Sequence, residues 1–341
     1  MVSNTIKAVE QVNLMYKACS YSAHPEFLMD PSKIIKTPFP IPCAGRWGSY
    51  GFGLTYNYSI NGCGGLEAMS IVEAATINAT LDSKFIYYMN IPFYPKDYSR
   101  CYWSGGSSTI NYAGIAKQYI GTLKIGDASS LIHENGHMFT LMHSVATTSS
   151  NDGSSPMGYG GPTTCYNAPE SSILGWSTSL ATLTVVPDNQ WREFAMPIFS
   201  TTPINHIIID LQQKTTNHRL FLSLRSKDGN TLVDQTLNDI YEKKITVHSY
   251  ARAKNSTFRF NIGMRMNPSL VYVITTIPTG AIFDFNNQGT WMQNPSTAPY
   301  FSLPQPAKIA IKHTSYSNKG STIAICFYTV SAAECGSVCR C

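Results

Sequence analysis

Charged residues are scarce in this chain: Asp, Glu, Lys and Arg make up 13% of its 341 residues, and the formal net charge is +5. No cluster of Lys and Arg stands out, which argues against a nucleic-acid-binding protein; a solvated surface explains the mild basicity. The apolar runs, such as residues 207–209, are too short to span a bilayer. Residues 1–20 contain no charged segment followed by an apolar one, so no signal peptide is visible.

Cysteine, in contrast, is frequent. The nine cysteines lack the paired CxxC spacing of a zinc ribbon, so the sequence predicts a disulfide framework. Three N-x-Ser/Thr sequons, at Asn57, Asn78 and Asn255, agree with a secretory route. We therefore expect an extracellular mature form without its leader, or export by another route. Because nine is odd, one thiol is expected to be free, bonded between chains, or bound to a ligand.

The first half of the chain mixes the patterns of helices and strands. Apolar side chains at helical intervals predict helices over residues 5–18 and 66–81. Aromatic and β-branched residues predict a core strand over 85–92, and a further strand, at a sheet edge, over 118–126. Another helix is expected after Asp127, whose carboxylate is placed to cap it.

The pattern changes near residue 180. Short strand-like runs separated by turn residues follow: HIIIDLQ, HRLFLSLRS, KITVHSYA, STFRFNIGM, SLVYVITTI, AKIAIKHTS and STIAICFYTV. This spacing is typical of an antiparallel β-sandwich. We place a boundary between Leu183 and Asn189, which predicts an α+β protein with a catalytic-type domain over 1–185 and a β-sandwich with a Cys-rich tail over 186–341.

The segment HENGHMFTLMH, residues 133–143, has the spacing of a zinc site. His133 and His137 are four residues apart, so on a helix both imidazoles lie on one face and reach one metal ion. Glu134 is offset from them and is placed to accept a proton from a water at the metal. This division of roles is that of H-E-x-x-H zinc hydrolases, in which zinc lowers the pKa of a water to about 7.

His143 is the third candidate ligand, and it can reach the same ion only if the helix ends near residue 140 and the chain turns back. The metzincin pattern H-E-x-x-H-x-x-G-x-x-H places glycine at that turn, where this chain has Thr140. A β-branched residue in left-handed geometry costs roughly 1–2 kcal/mol, which a folded core can absorb. The other histidines in strand-rich sequence have no ligand spacing and are predicted to be structural or exposed: His206, His218, His248 and His313.

Two segments downstream of the histidines carry a family resemblance. The turn DGSSPMG contributes Asp152, Ser154, Met157 and Gly158, and the segment CYNAPESSILGW spans residues 165–176. With these motifs the sequence resembles the gametolysin family of secreted zinc metallopeptidases. The resemblance covers about residues 5–250, is specific between 131 and 176, and places the leader and an inhibitory prosegment outside this chain.

The resemblance implies a metzincin-type catalytic domain with His133, His137 and His143 as zinc ligands and Glu134 as general base. Met157 would form an apolar floor beneath the zinc, with Asp152 supporting the turn around it. Tyr159 either stabilises an oxyanion, as a tyrosine does in some other metzincins, or packs at the rim as a structural residue.

The sequence also departs from the family pattern. Thr140 replaces the turn glycine, Ser150 and Asn151 replace a Tyr-Gly pair, and a second cysteine pair is missing between Ser107 and Leu131. A zinc-binding thiol, at Cys43 or Cys63, is an alternative to disulfide pairing, which explains both cysteines more simply.

Together these features predict a secreted zinc metalloendopeptidase whose cofactor is Zn²⁺. Its substrate is expected to be an extracellular-matrix or cell-wall glycoprotein, bound as an extended strand along an edge strand near residues 118–126. No nucleic acid and no membrane span are expected, and the oligomeric state is left open. The alternative is a zinc-containing binding or structural protein on the same fold, with weak or no turnover, which Thr140 motivates and the intact Glu134 argues against.

Overall fold

The computed structural model describes thirteen segments of the chain. They are residues 2–33, 43–48, 55–59, 89–90, 105–108, 116–120, 128–139, 141–146, 152–158, 160–211, 216–253, 271–285 and 307–336. The predicted helix over 66–81, the predicted cap at Asp127 and the predicted strand STFRFNIGM lie outside these segments. The chain divides into two compact units that interleave along the sequence: Met1–Asn13, Met29–Leu141 and Arg259–Arg265 in the first, and Leu14–Leu28, Met142–Phe258 and Met266–Cys341 in the second.

Three α-helices occur in the described segments: α1 (Val2–Cys19), α2 (Ala128–Met138) and α3 (Ala168–Ile173). The first confirms the helix predicted over residues 5–18. Its buried positions recur at the spacing of one helical face: Ala8, Val9, Val12, Met15, Tyr16 and Cys19. No helix among the described residues is both long and apolar enough to cross a membrane.

The first unit contains two small sheets. A hairpin pairs β1 (Ala44–Gly48) with β2 (Thr55–Ser59) in antiparallel fashion. In the second sheet, β5 (Ala116–Ile120) lies between β3 (Met89–Asn90), which is parallel to it, and β4 (Gly105–Ser108), which is antiparallel.

Residues 118–120 pair with β4, and the parallel pairing with β3 involves residues 116 and 117, so the edge position predicted for the strand over 118–126 stays a prediction. The pairing of β3 with residues 116 and 117 could not be predicted from the sequence, because a parallel pairing leaves no hairpin signal between neighbouring segments. Helix α2 packs against β4 and β5, so this sheet supports the helix that carries the first two histidines.

The second unit contains a six-stranded sheet and a four-stranded sheet. The strands are β6 (Ser144–Ala146), β7 (Thr178–Thr184), β8 (Arg192–Met196), β9 (Ile204–Asp210), β10 (Thr216–Arg225), β11 (Lys244–Ala253), β12 (Val271–Ile277), β13 (Ile282–Phe285), β14 (Lys308–Ser317) and β15 (Gly320–Tyr328). The larger sheet has the order β6-β12-β11-β10-β9-β7 and the smaller one β13-β14-β15-β8.

Among the described residues of this unit, the parallel strand pairs are β6 with β12 and β7 with β9, at the two ends of the larger sheet, and the other strand pairs are antiparallel. One isolated parallel bridge joins Ile198 and Leu224. Both sheets contribute to one hydrophobic core, with side chains such as Ile209, Leu222, Ile311 and Ile325 fully buried. Six of the seven predicted strand runs are confirmed, as β9, β10, β11, β12, β14 and β15. The α+β class is confirmed, whereas the metzincin-type domain, the C-terminal sandwich and the division at residues 185 and 186 stay predictions.

Two disulfides are present in the described segments. Cys19 at the end of α1 bonds to Cys165, and Cys326 on β15 bonds to Cys335. Cys43 is an exposed free thiol. Cys63, the other cysteine considered for a zinc-binding thiol, lies outside the described residues.

Candidate metal centre

Helix α2 places the first two histidines. Its buried face includes Leu131 and Ile132, which are at most 1% exposed, while His133 and His137 are half-buried. Because four residues advance slightly more than one helical turn, the two imidazoles lie one above the other. Their ring centroids are 4.8 Å apart and their planes are perpendicular.

The end of α2 turns the chain back towards these histidines. The N–H of Phe139 donates to the carbonyl of Asn135 at 3.0 Å, and the N–H of Leu141 donates to the carbonyl of Gly136 at 2.9 Å. The second bond spans five residues, as in a Schellman motif, which ends a helix and reverses its direction. Thr140, at the centre of this turn, lies outside the described residues, so its effect on the site stays a prediction.

The turn brings His143 to the other two histidines. One imidazole nitrogen from each of His133, His137 and His143 lies within 4.8 Å of the others. Two nitrogens on one tetrahedral zinc, at bonds of about 2.0–2.1 Å, lie roughly 3.3–3.4 Å apart. The donor set therefore fits zinc after side-chain rotations that bring these atoms at most about 1.5 Å closer together.

The imidazole of His137 is oriented by the chain itself. Its Nδ1 lies 2.9 Å from the carbonyl oxygen of Leu141. Since a carbonyl only accepts, Nδ1 carries the proton and donates it, which leaves Nε2 as the lone-pair nitrogen that a metal requires. The same turn that ends α2 therefore also sets the tautomer of one candidate ligand.

Glu134 lies beside this cluster but does not belong to it. It follows His133 on α2, about 100° around the helix axis, and is 8% exposed. Among the described residues, the cluster contains the three histidines and no fourth Cys, His, Asp or Glu ligand. Three protein ligands with a further position open are typical of catalytic zinc sites, whereas structural sites use four. His143 is exposed, so the cluster is accessible to solvent.

Met157 lies in a compact turn, residues 152–158, that is hydrogen-bonded to Ser144, the residue after His143. Its side chain is fully buried, and its carbonyl accepts the N–H of Ser144 at 3.0 Å. Its own N–H donates to the hydroxyl of Ser155 at 3.0 Å. Glycine is required at position 158, because a Cβ there would lie 2.0 Å from the carbonyl oxygen of Asp152.

Asp152 is fully buried at the start of this turn. Its carboxylate accepts the hydroxyl of Ser144 at 2.7 Å, the N–H of Ser154 at 2.7 Å and the Nδ2 amide of Asn167 at 3.2 Å. Burial alone would raise the pKa of Asp152. Hydrogen bonds and charge from His248, with those from Ser154 and Ser144, outweigh burial and hold this pKa far below its usual range.

The segment CYNAPESSILGW, residues 165–176, is bonded to and packed against the C-terminal end of α1. Cys165 is tied to α1 by its disulfide, and Tyr166 and Trp176 both pack against Tyr16 of that helix, with ring centroids 6.3 and 5.4 Å away. Gly175, at φ +73°, takes the left-handed position that ends α3 before Trp176. The family motif in this segment is therefore a set of packing and capping residues.

For two polar residues of this segment, Asn167 and Glu170, no role was predicted from the sequence. Asn167 caps α3 by accepting the N–H of Glu170 at 3.2 Å, and the Glu170 carboxyl accepts the N–H of Asn167 at 3.0 Å. The hydroxyl of Ser155 also donates to Glu170. Burial raises the pKa of Glu170 to about 8. The Asn-x-x-Glu spacing before a helix was a visible capping-box signal that would have identified this pair.

His248 was predicted to be structural or exposed. It is fully buried on β11, with Nε2 3.2 Å from the carboxylate of Asp152. No spacing signal could have found this pair, because the two residues are 96 positions apart. Tyr159, the candidate oxyanion residue, lies outside the described residues and stays a prediction.

Comparison with known proteins adds one finding. The model of the gametolysin peptidase M11 family matches residues 2–267 of the chain. The match covers well over half of the sequence and contains the three histidines, Glu134 and the turn around Met157. Comparisons with curated proteins and with solved structures found no match.

Proposed function

Since the chain belongs to the gametolysin peptidase M11 family, whose members are metallopeptidases, we propose that it is a secreted, zinc-dependent endopeptidase. The observation that carries this proposal is the convergence of His133, His137 and His143 at the end of α2. A family match alone indicates a peptidase. The three convergent imidazoles indicate where its metal would be held.

In the proposed mechanism the three histidines would hold zinc, which when bound would act as a Lewis acid that polarises the scissile carbonyl and makes a water more acidic. Glu134 accepts the proton of that water as it attacks the carbonyl carbon. The same carboxyl then returns the proton to the amine that leaves when the peptide C–N bond breaks. The Leu141 carbonyl keeps the proton of His137 on Nδ1, so that Nε2 is the nitrogen that would bind the metal.

Met157 and Asp152 support the site without reaching the substrate. Met157 is buried, and its carbonyl holds the backbone directly after His143. Asp152 accepts the hydroxyl of Ser144 in the same stretch of chain. We assign the two residues the role of fixing the third ligand.

An extracellular location is supported by the disulfides Cys19–Cys165 and Cys326–Cys335, which persist in oxidising compartments. Asn57, the sequon residue that the structure describes, is exposed on β2 and therefore accessible to a glycan. We propose an extracellular-matrix or cell-wall glycoprotein as the substrate.

The decisive experiment combines metal analysis with cleavage of a peptide library. We expect about one zinc per chain and chelator-sensitive cleavage. Substitution of Glu134→Gln should leave zinc bound and lower cleavage by about 10²-fold or more, because the general base is lost. Glu10→Gln, which changes an exposed carboxyl on α1, is the matched control and should cleave like the parent.

Each outcome has a distinct meaning. Absence of bound zinc in the parent would remove the metallopeptidase proposal. Cleavage by the Glu134→Gln variant at the parental rate would refute the role of Glu134. Bound zinc without cleavage of any peptide would favour the alternative of a zinc-containing binding protein.

A further inference from the structure

We propose that His248 is a positioning residue for the metal centre: from the six-stranded sheet it holds Asp152 and, through Asp152, the backbone between His143 and Met157. This inference rests on the proposed function, because it assigns a role in holding the third zinc ligand. It concerns a residue 105 positions after His143 in the sequence. His248 neither touches the substrate nor binds the metal in this proposal.

The contact between His248 and Asp152 has a defined direction. Nε2 of His248 lies 3.2 Å from Oδ2 of Asp152 and 3.1 Å from the hydroxyl of Ser154. An ionised carboxylate only accepts, so Nε2 carries a proton and donates it to Asp152. The side chains of His248 and Asp152 are completely buried, so water cannot replace this donor without a rearrangement of the turn.

The same carboxylate oxygen connects to the stretch next to the third histidine. Oδ2 of Asp152 accepts the hydroxyl of Ser144, and the N–H of Asp152 donates to the carbonyl of Ser144 at 3.2 Å. The N–H of Ser144 in turn donates to the carbonyl of Met157 at 3.0 Å. Ser144 is therefore bonded to both ends of the turn, and its position follows that of Asp152.

The sheet provides a rigid base for this arrangement. His248 lies on β11, which is paired on both sides, with β10 and β12. Ser144 begins β6, which pairs with β12 in the same sheet, where Ser144 is opposite Val271. The histidine and the residue after the third ligand are thus fixed to one sheet and joined again through Asp152.

The strand pairing is irregular where His248 occurs. Val247 pairs with Thr275, but His248 pairs with Val273, so the register between β11 and β12 shifts by one residue at this point. Such β-bulges re-aim a side chain and are frequent next to active sites. The extra residue is Ile274 on β12, the strand paired with β11 at His248, and the bulge is an observation independent of the hydrogen bonds.

The test compares nearly isosteric variants that differ in one donor. His248→Gln keeps an N–H at the position of Nε2, whereas His248→Met removes it. His248→Asn, whose amide is one methylene shorter, also withdraws the donor and decides the question if the methionine variant is not recovered folded. His218→Met is the matched control, because His218 is buried on the adjacent strand β10 and bonded to Ser249 at 2.6 Å.

The readouts are the zinc Kd from chelator competition, the absorption spectrum of the cobalt-substituted protein, and kcat and KM separately. For His248→Met we expect a Kd raised about 10-fold, as for other residues that orient metal ligands indirectly. We also expect an altered cobalt spectrum and a lower kcat at unchanged KM. His248→Gln should restore all three, and His218→Met should lower stability without changing them.

Parental zinc affinity and cobalt spectrum in a folded His248→Met or His248→Asn variant would overturn the inference and leave the proposed function standing. The same changes in His218→Met as in His248→Met would also overturn it, since they would show a general effect of destabilising the sheet. Failure of the parent to bind zinc would instead refute the proposed function.

Discussion

Glu170 is a carboxyl group that the fold buries almost completely, at 1% exposure, behind the turn that contains Met157. Its Oε2 accepts hydrogen bonds from the N–H of Asn167 and the hydroxyl of Ser155. Its Oε1 has no hydrogen-bond partner among the described residues. Burial, reinforced by the negative charge of Asp152, outweighs these bonds and raises the pKa of Glu170 from 4.5 to about 8.

The raised pKa makes stability depend on pH in a defined direction. Between about pH 4.5 and pH 8 the folded protein keeps the proton of Glu170 and the unfolded chain releases it. The contribution to stability is therefore complete below pH 4.5, decreases as the pH rises, and is lost above about pH 8. At about 1.4 kcal/mol for each pH unit, the whole contribution amounts to roughly 5 kcal/mol.

The Glu170→Gln variant isolates this effect. A carboxamide oxygen can accept the same two hydrogen bonds, and the side chain cannot ionise. The unfolding free energy of the variant, relative to the parent, should therefore increase by about 3 kcal/mol between pH 5 and pH 8. Other titrating groups cancel in this difference, because they are shared by both proteins.

Urea unfolding followed by tryptophan fluorescence at several pH values measures this difference. Glu10→Gln, at an exposed carboxyl, serves as the control and should show no such trend. A difference between the Glu170→Gln variant and the parent that stays constant from pH 5 to pH 8 would refute the reasoning. It would mean that Glu170 ionises in the folded protein at an ordinary pKa.

Two further predictions concern stability. The disulfide Cys19–Cys165 closes a loop of 146 residues, and Cys326–Cys335 closes one of 9. When each pair is replaced by serine, chain entropy predicts that the free energy of unfolding falls by about 5 and about 2.5 kcal/mol, respectively. Equal losses for the two pairs in urea unfolding would contradict this account. Arg225 and Asp234, both fully buried, form an ion pair at 2.5 Å. Arg225→Met should lower the free energy of unfolding by about 3–5 kcal/mol, because Asp234 loses its counter-charge. The double variant Arg225→Met with Asp234→Leu should lose less, and equal losses in the two proteins would contradict the prediction.

Local patterns account for what could be predicted about the site. The spacing of His133 and His137 predicts a shared helix face from helix geometry alone, and α2 has that geometry. The strands after residue 180 could also be predicted, because the alternation of apolar residues and the turn residues between strands are patterns of a few neighbouring positions. The parallel pairing of β3 with residues 116 and 117 could not be predicted, since such a pairing leaves no trace in neighbouring sequence.

The same distinction applies to the residues that support the site. Asn167 and Glu170 form a capping box three residues apart, so their local bonds follow from the sequence. The raised pKa of Glu170 does not, because it results from burial and from the charge of Asp152, which approaches from a different segment.

The sequence by itself determined the family of this protein, its α+β class, and the histidines and glutamate proposed for its chemistry, because these depend on residue type and on spacing within a few turns of chain. Only the tertiary structure decided that His143 meets the helix histidines, that Leu141 orients His137, and that His248 bonds to Asp152. These contacts depend on where a helix ends and on the register of β11 and β12. The Asp152–His248 hydrogen bond joins residues 96 positions apart, so the chain must close a long loop before the two partners can meet.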